Sequence, residues 1–147
     1  MAYDVNIRQA ITGTGPEVRA AVEAMIALSD VVKVSDEDLA ALYPGRDEPY
    51  LIEYVLSLGP VAVVITRGSG GAQWCSRTTT VAVRSPAVPV VDTIGAGDTF
   101  GAAVLDALVR SGCAGPKPRG RVAKLRDDQV ERLLGWAAEA ASITCSR

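Results

Sequence analysis

The sequence predicts an α/β protein with a mostly parallel sheet. Short apolar runs rich in β-branched residues alternate with longer segments whose apolar residues recur at helical spacing. The run Val61–Thr66 is apolar and bounded by turn residues, which is typical of a strand buried on both faces of a parallel sheet. A chain of 147 residues is long enough for one domain with a core, so we expect residues 1–147 to form a single domain.

Local signals in the first half of the chain mark where strands and helices begin. Pro16 suits the first turn of a helix, because an amide hydrogen is not needed there. Ser35, followed three residues later by Asp38, is close to a capping box with Asp where Glu is usual, and it predicts another helix start. The predicted elements of this half are a strand end in Ala2–Asn6, a helix over Pro16–Leu28, a strand over Val31–Val34, a helix from Ser35 to Pro44 and a helix over Pro49–Leu58.

The second half of the chain predicts further strands followed by long helices. Arg67–Gly71 is a glycine-rich turn, and the two short strands after it form a hairpin at the sheet edge. Asp127 and Asp128 place negative charge at the positive end of the last helix. The predicted elements are strands over Val61–Thr66, Ala72–Ser76 and Thr78–Ser85, an extended segment over Pro86–Val91, a helix over Gly95–Gly112, an exposed loop over Ala114–Arg126 and a helix over Asp127–Thr144.

Composition excludes several classes of function. The net charge of -2 argues against a broad nucleic-acid-binding surface, but not against a local pocket for a phosphorylated small molecule. Histidine is absent, so a general acid or base must be a carboxylate, Lys, Tyr or Cys. The 3 cysteines are widely spaced and favour a reducing cytoplasm over a disulfide framework or zinc site. No apolar run approaches the roughly 18 residues of a membrane span, and polar residues follow Met1, so we expect no membrane partner and no signal peptide.

The segment Val91–Phe100, VDTIGAGDTF, carries the clearest chemical pattern. An extended stretch leads through small residues into a long helix, whose free first-turn amides form an anion site. We expect the amides of Gly95, Ala96 and Gly97 to hold a phosphoryl group. The Asp98 carboxylate would then take a proton from an attacking hydroxyl. The alternative is that the glycines permit tight packing and that Asp98 only favours the helix dipole. The segment is neither a Walker A loop nor a dinucleotide fingerprint.

The string Asp92–Asp98, DTIGAGD, resembles the second sequence signature of the PfkB family of carbohydrate kinases, D-T-x-G-A-G-D, at every position. The resemblance implies a ribokinase-like three-layer sandwich that transfers a phosphoryl group from ATP, with Mg²⁺, to a sugar hydroxymethyl group. It also implies that Asp98 is the general base and that Gly95 and Gly97 contact the nucleotide. Some relatives hold a monovalent cation such as K⁺ beside this loop, which makes Asp92 a candidate cation ligand. The alternative is that Asp92 only caps and orients the loop.

Other stretches resemble the same family in the same order. Asp4–Arg8 resembles a D-x-N-x-R segment, which implies that Asn6 and Arg8 lie near the phosphates and the sugar. Val63–Ala72 resembles a strand and glycine turn that lie along the nucleotide. The nucleotide contacts implied there are Thr66, Gly68 and Gly71.

The segment Val32–Leu39 resembles a K-x-N-x-x-E segment that helps to organise magnesium and phosphate. Ser35 replaces the Asn and Asp38 replaces the Glu, a substitution found in fructokinase-like members. The resemblance makes Asp38 a candidate metal ligand and favours fructose as the first substrate to test.

The resemblance covers Asp4–Arg147, which corresponds to the C-terminal half of the family enzyme. The N-terminal half and its β-lid, absent here, hold most sugar contacts, and in many members the lid forms a homodimer interface. Within the family the acceptor could instead be 2-keto-3-deoxygluconate, ribose or a nucleoside. A different alternative is a nucleotide-binding fragment without catalytic turnover.

Several remaining side chains have a structural and a functional interpretation. The basic loop could reach the triphosphate, although a solvated connector is favoured. Trp74 and Trp136 could stack on adenine, although packing is favoured, and Cys145 is expected to be a small buried hydrophobe. The basic residues of the loop are Lys117, Arg119, Arg121, Lys124 and Arg126.

Overall fold

The computed structural model describes residues 1–147 and is built around one five-stranded sheet. The strands are β1 (Ala2–Asp4), β2 (Val31–Ser35), β3 (Ala62–Thr66), β4 (Ala72–Ser76) and β5 (Thr80–Val83). They lie side by side in chain order. β1–β2 and β2–β3 are parallel, whereas β3–β4 and β4–β5 are antiparallel. The α/β class and the edge hairpin are confirmed, and the sheet as a whole is mixed.

Helices cover both faces of the sheet, which gives the three layers of the predicted sandwich. The helices are α1 (Gln9–Thr12), α2 (Pro16–Leu28), α3 (Asp36–Leu42), α4 (Glu48–Ser57), α5 (Ala96–Arg110), α6 (Pro118–Val122) and α7 (Asp127–Cys145). The face that carries α2, α3 and α4 encloses one apolar core, and the face that carries α5 and α7 encloses the other.

The middle strands are buried on both faces because their side chains alternate between two apolar cores. Val32 and Val34 of β2 pack with α2 to α4, whereas Val31 packs with α5 and α7. Lys33 has the same parity as Val31, so it lies on the α5 side of the sheet. It is a charged residue within a buried strand and is only 9% exposed. A buried ammonium needs a partner, and the partner lies at the candidate site described below.

Two short helices were not predicted from the sequence. α1 has no buried residue and is a single turn closed by amides that donate to the carbonyl of Arg8. α6 lies within the segment predicted as an exposed loop. Val122 and Leu125 are buried there, so the segment packs on the core rather than crossing solvent. None of the helices has the length and apolar character needed to cross a membrane.

Candidate active site

The carboxyl ends of the parallel strands meet the start of α5 at one edge of the sheet. Ser35 and Thr66 end β2 and β3 and are register partners. Asn6, which follows β1, donates from Nδ2 to Oδ1 of Asp98 at 3.3 Å. Ligands of α/β proteins bind at such carboxyl ends of strands, so this edge is the candidate active site.

The start of α5 leaves backbone donors free beside a carboxylate. Gly95 precedes the helix at φ 77°, a left-handed conformation that favours glycine, and no side chain caps the helix. The amides of Gly95, Gly97 and Asp98 have no acceptor within the chain. Ala96 differs from the prediction, because its amide donates to the carbonyl of Thr93 at 3.2 Å. The free donors and the exposed Asp98 carboxylate therefore share one helix turn.

A buried ion pair lies beneath this turn. Lys33 donates from Nζ to Oδ2 of Asp4 at 3.0 Å, and both side chains are mostly buried. A Cβ on Gly97 would lie 3.3 Å from the Lys33 ammonium, and a Cβ on Gly101 would lie 3.3 Å from Oδ2 of Asp4. The glycines one turn apart thus let α5 pack directly over the pair. Its positive end lies beneath the open start of the helix.

The Asp4 carboxyl is held in an unusual environment. Burial raises its pKa above the ordinary value of 3.8, and the carboxylates of Asp38 and Asp98 add to that effect, whereas Lys33 opposes it. Oδ1 of Asp4 is buried without a hydrogen-bond partner. Asp4 is therefore a desolvated carboxyl that depends on Lys33 for compensation.

The end of α7 holds the loop that leads into α5. The carbonyl of Cys145 accepts from the amides of Val91 at 2.8 Å and Asp92 at 3.3 Å. Thr144 donates from Oγ1 to Oγ1 of Thr99 at 3.0 Å, which joins the two helices beside the site. The Cys145 side chain is half-buried, so it is less enclosed than predicted.

The glycine turn predicted to contact a nucleotide contains two different kinds of glycine. Gly68 is exposed at the end of β3 and is free to approach a ligand. Gly71 is buried, and a Cβ there would overlap the carbonyl oxygen of Val83. The structure therefore accounts for Gly71 by close backbone approach. Thr66 is half-buried at the strand end, and Arg67 beside it is paired with Glu48.

The carboxylates predicted as cation ligands are engaged by the protein itself. Asp38 accepts from the amide of Ile7 at 3.1 Å and from that of Ser35 at 3.4 Å. Asp92 accepts from the amide of Ile94 at 2.9 Å, which closes a turn before α5. No group of three or more His, Cys, Asp or Glu side chains is arranged to hold a metal ion. The capping alternatives for both residues are thus satisfied in the structure, and their roles as cation ligands stay predictions.

The remaining candidate residues differ in their exposure and in their contacts. Arg8 precedes α1, is exposed and makes no ion pair with its side chain. Trp74 is 1% exposed and belongs to the core, as favoured from the sequence. Trp136 is 47% exposed and packs under the guanidinium of Arg110.

The basic loop is tied to the protein rather than extended towards a ligand. Arg119 donates to the carbonyls of Ser29 and Gly59 and pairs with Asp30. Arg121 donates to the carbonyls of Gly112 and Ala114, and Arg126 pairs with an aspartate of α7. These contacts agree with a connecting role, but the connector is less solvated than expected because Val122 and Leu125 are buried.

Lys33 and Asp4 are site residues to which the sequence analysis assigned no role, although each is a fixed position of a segment that resembles the family. The available signal was a lysine inside the apolar strand Val31–Ser35, because a buried charge requires a partner. That signal identifies no partner, since Asp4 is 29 residues away in the chain.

Comparisons with known proteins agree with this arrangement. A family model described as pfkB family carbohydrate kinase matches residues 2–147. A fructokinase from Rhizobium leguminosarum bv. trifolii is 42% identical over 108 residues, which cover 74% of this chain and 33% of that protein.

Two solved structures resemble the chain over almost its whole length. Aminoimidazole riboside kinase from Salmonella enterica, complexed with aminoimidazole riboside and an ATP analog, matches with a TM-score of 0.80 at 25% identity, covering 99% of this chain and 46% of the kinase. Fructokinase from Vibrio cholerae O395, with fructose, ADP and calcium ion bound, matches with a TM-score of 0.76 at 25% identity, covering 99% and 44%. The chain thus spans less than half the length of these relatives, and it belongs to the pfkB family of carbohydrate kinases.

Proposed function

We propose that the chain carries the nucleotide-binding and catalytic part of an ATP-dependent sugar kinase. The observation that carries the proposal is the start of α5, where the amides of Gly95, Gly97 and Asp98 lack acceptors next to an exposed carboxylate. A carboxylate repels phosphate, so its position at an anion site favours chemistry over binding alone. Phosphoryl transfer needs both groups, a base for the attacking hydroxyl and donors for the charge on the phosphoryl oxygens.

Each group then has a defined role. Asp98 takes the proton of the sugar hydroxymethyl as its oxygen attacks the γ-phosphorus, and ADP leaves with the electron pair of the broken bond. The free amides hold the equatorial oxygens, while the ammonium of Lys33 adds positive potential from beneath Gly97. Asn6 donates to Asp98 and holds the carboxylate in place for the hydroxyl. Arg8 and Gly68 remain candidate contacts for phosphate and nucleotide.

Mg²⁺ would enter with the nucleotide. Magnesium is commonly held by one or two carboxylates together with substrate phosphates and waters, so a protein cage is not required. The absence of a ready cluster of metal-binding side chains is compatible with that mode. Bound Mg²⁺ supplies charge neutralisation for the phosphates, whereas the chain's own residues orient the hydroxyl and accept its proton.

Fructose is the first acceptor to test. The Rhizobium relative is named fructokinase, and one of the solved relatives holds fructose and ADP. The aminoimidazole riboside kinase makes a nucleoside-type acceptor a second candidate, followed by ribose and 2-keto-3-deoxygluconate. The Asp98 carboxylate is exposed, so an acceptor sugar can reach it from solvent.

A nucleotide-binding chain without turnover is the second candidate. The chain spans 33% of the fructokinase that it resembles, so turnover by the residues of this chain is itself part of the first proposal. The two candidates differ in one observable. ATP binding without sugar-dependent ADP release would support the binding protein, whereas sugar-dependent ADP release by this chain would exclude it.

The catalytic proposal is tested by Asp98→Asn in any form of the protein that shows turnover. We expect the rate of ADP release to fall by about 10²- to 10⁴-fold, because the general base is lost, while ATP affinity is retained. Asp106→Asn is the matched control, since Asp106 lies on the same helix and only pairs with Arg110 on the surface. Near-normal turnover of Asp98→Asn would rule out Asp98 as the base.

A further inference from the structure

The carboxylate of Asp38 joins two segments that are far apart in the chain. One oxygen accepts from the amide of Ile7, just beyond β1, at 3.1 Å. The other accepts from the amide of Ser35 at 3.4 Å, and the amide of Asp38 itself donates to Oγ of Ser35 at 3.0 Å. The capping box of α3 therefore has an additional contact, because it also holds the loop that follows β1.

That loop contains the donor to the candidate base. Asn6 lies directly before Ile7 and has φ 41°, in the left-handed region, which Asn tolerates better than most residues. Its side chain is exposed, so packing does not fix its direction. The amide of Val5 on the other side donates to the carbonyl of Lys33 at 3.0 Å. Asn6 thus lies between two residues whose backbone amides are hydrogen-bonded. The Val5 amide donates to a backbone carbonyl, and the Ile7 amide donates to the side chain of Asp38.

We infer that Asp38 is a positioning residue, which fixes Asn6 against Asp98 through the amide of Ile7 rather than by binding a metal ion. This inference rests on the proposed role of Asp98 as the base only for its catalytic consequence. The geometric part is independent of it. Each oxygen of Asp38 accepts from a backbone amide, and these two bonds fix the direction of the carboxylate without a bound cation.

The geometric part can be tested in the isotopically labelled chain by NMR. In Asp38→Ala we expect the Ile7 amide to exchange about tenfold faster or more, because a hydrogen bond to a charged acceptor is lost. The side-chain amide resonance of Asn6 should move to the position that it takes in Asp98→Ala, since both substitutions break the contact between Asn6 and Asp98. An unchanged Asn6 resonance in Asp38→Ala would overturn the inference.

Two variants separate positioning from helix capping. Ser35→Ala removes the other half of the capping box but leaves the contact between Asp38 and Ile7, so the Asn6 resonance should stay in place. Asp38→Asn keeps one oxygen for the Ile7 amide and should also retain the Asn6 contact. If Ser35→Ala displaces Asn6 as far as Asp38→Ala does, Asp38 acts only as a cap and the inference fails.

The metal alternative has its own measurement. We expect the Mg²⁺ concentration that gives half-maximal ATP binding to be the same for Asp38→Asn and the unmodified chain. A shift to Mg²⁺ concentrations about tenfold higher would instead identify Asp38 as part of a metal site, because losing a group that supports a bound metal typically weakens its affinity by at least that factor. In a form with turnover, Asp38→Ala should lower kcat and leave the KM for ATP unchanged. The NMR result stands even if Asp98 is not the base.

Discussion

The starts of α3 and α5 lie at the same edge of the sheet but differ in whether their first-turn backbone amides are hydrogen-bonded within the chain. At α3 the amide of Asp38 donates to Ser35, and that of Glu37 donates to Asp36. At α5 the amides of Gly95, Gly97 and Asp98 have no acceptor. One helix start is closed by its own side chains, and the other is open.

The difference follows from residue type and determines what each start can bind. The first turn of α3 carries Asp36, Glu37 and Asp38, whose negative charges satisfy the helix dipole and repel phosphate. Gly95, Ala96 and Gly97 have no side-chain acceptor, and their small size lets a ligand approach the backbone. We therefore expect anions to bind at the start of α5, which has no capping side chain, and not at the start of α3, which has one.

The largest expected change in stability comes from removing the Lys33 ammonium, which lies beneath the open start of α5. Lys33→Met should lower the free energy of unfolding by about 3 kcal/mol, because it leaves the carboxylate of Asp4 buried without its partner. Chemical denaturation measures this loss. The double variant Lys33→Met with Asp4→Asn should recover most of it. A double variant as unstable as the single one would show that the pair is not the source of the effect.

Gly95→Ala should be the next largest change. An alanine at φ 77° costs about 1 kcal/mol of stability and disturbs the loop that presents the free amides, so ATP should also bind more weakly. Gly135→Ala is the matched control. It lies inside α7 with open space around its Cβ and should stabilise the protein by roughly 0.5–1 kcal/mol. Thermal unfolding and calorimetric titration with ATP measure both properties.

Ser35→Ala tests the comparison at the capped start of α3. Losing this helix cap should lower stability by about 1 kcal/mol, as measured by urea denaturation. The affinity for ATP should not change, because we propose that phosphate binds at the start of α5 and not at the start of α3. Weaker ATP binding in this variant would contradict the assignment of separate roles to the two helix starts.

The smallest expected effect is a dependence of stability on pH that arises from Asp4. Burial raises the pKa of Asp4 above 3.8 in the folded chain, so folding takes up a proton between the ordinary and the raised pKa. The free energy of unfolding contributed by this carboxyl should therefore fall as the pH rises through that window and stay constant above it. Denaturation curves recorded from the ordinary pKa of an aspartate up to neutral pH measure the fall, which should be present in the unmodified chain and absent in Asp4→Asn.

The capped start of α3 was predictable from the sequence, whereas the contacts that hold the uncapped start of α5 were not. Ser35 and Asp38 are three residues apart, and such local spacing predicts a cap. The string before Asp98 likewise predicted an anion site. The free state of individual amides was not predictable, because the amide of Ala96 turns back to Thr93 only in the folded loop.

The features that the sequence did not predict share a physical cause, since each depends on contacts between distant segments. Lys33 and Asp4 meet only when β1 and β2 pair, and Asp38 reaches Ile7 only after that pairing. The short helix α6 forms where Val122 packs into the core, which overrides the loop-like composition around it. Sequence patterns thus predicted the strands, the long helices and a candidate base, but not the contacts that hold that carboxylate in place.

The central claim is that the open start of α5 binds phosphate and the closed start of α3 does not. Titration of the isotopically labelled chain with Mg-ATP, ADP and AMP, followed by the backbone amide resonances of both helix starts, tests it directly. We expect the amides of Gly95, Gly97 and Asp98 to shift most with ATP and least with AMP, while those of Glu37 and Asp38 stay in place. Equal shifts at both starts, or no shift at Gly97 when ATP is bound, would contradict the account.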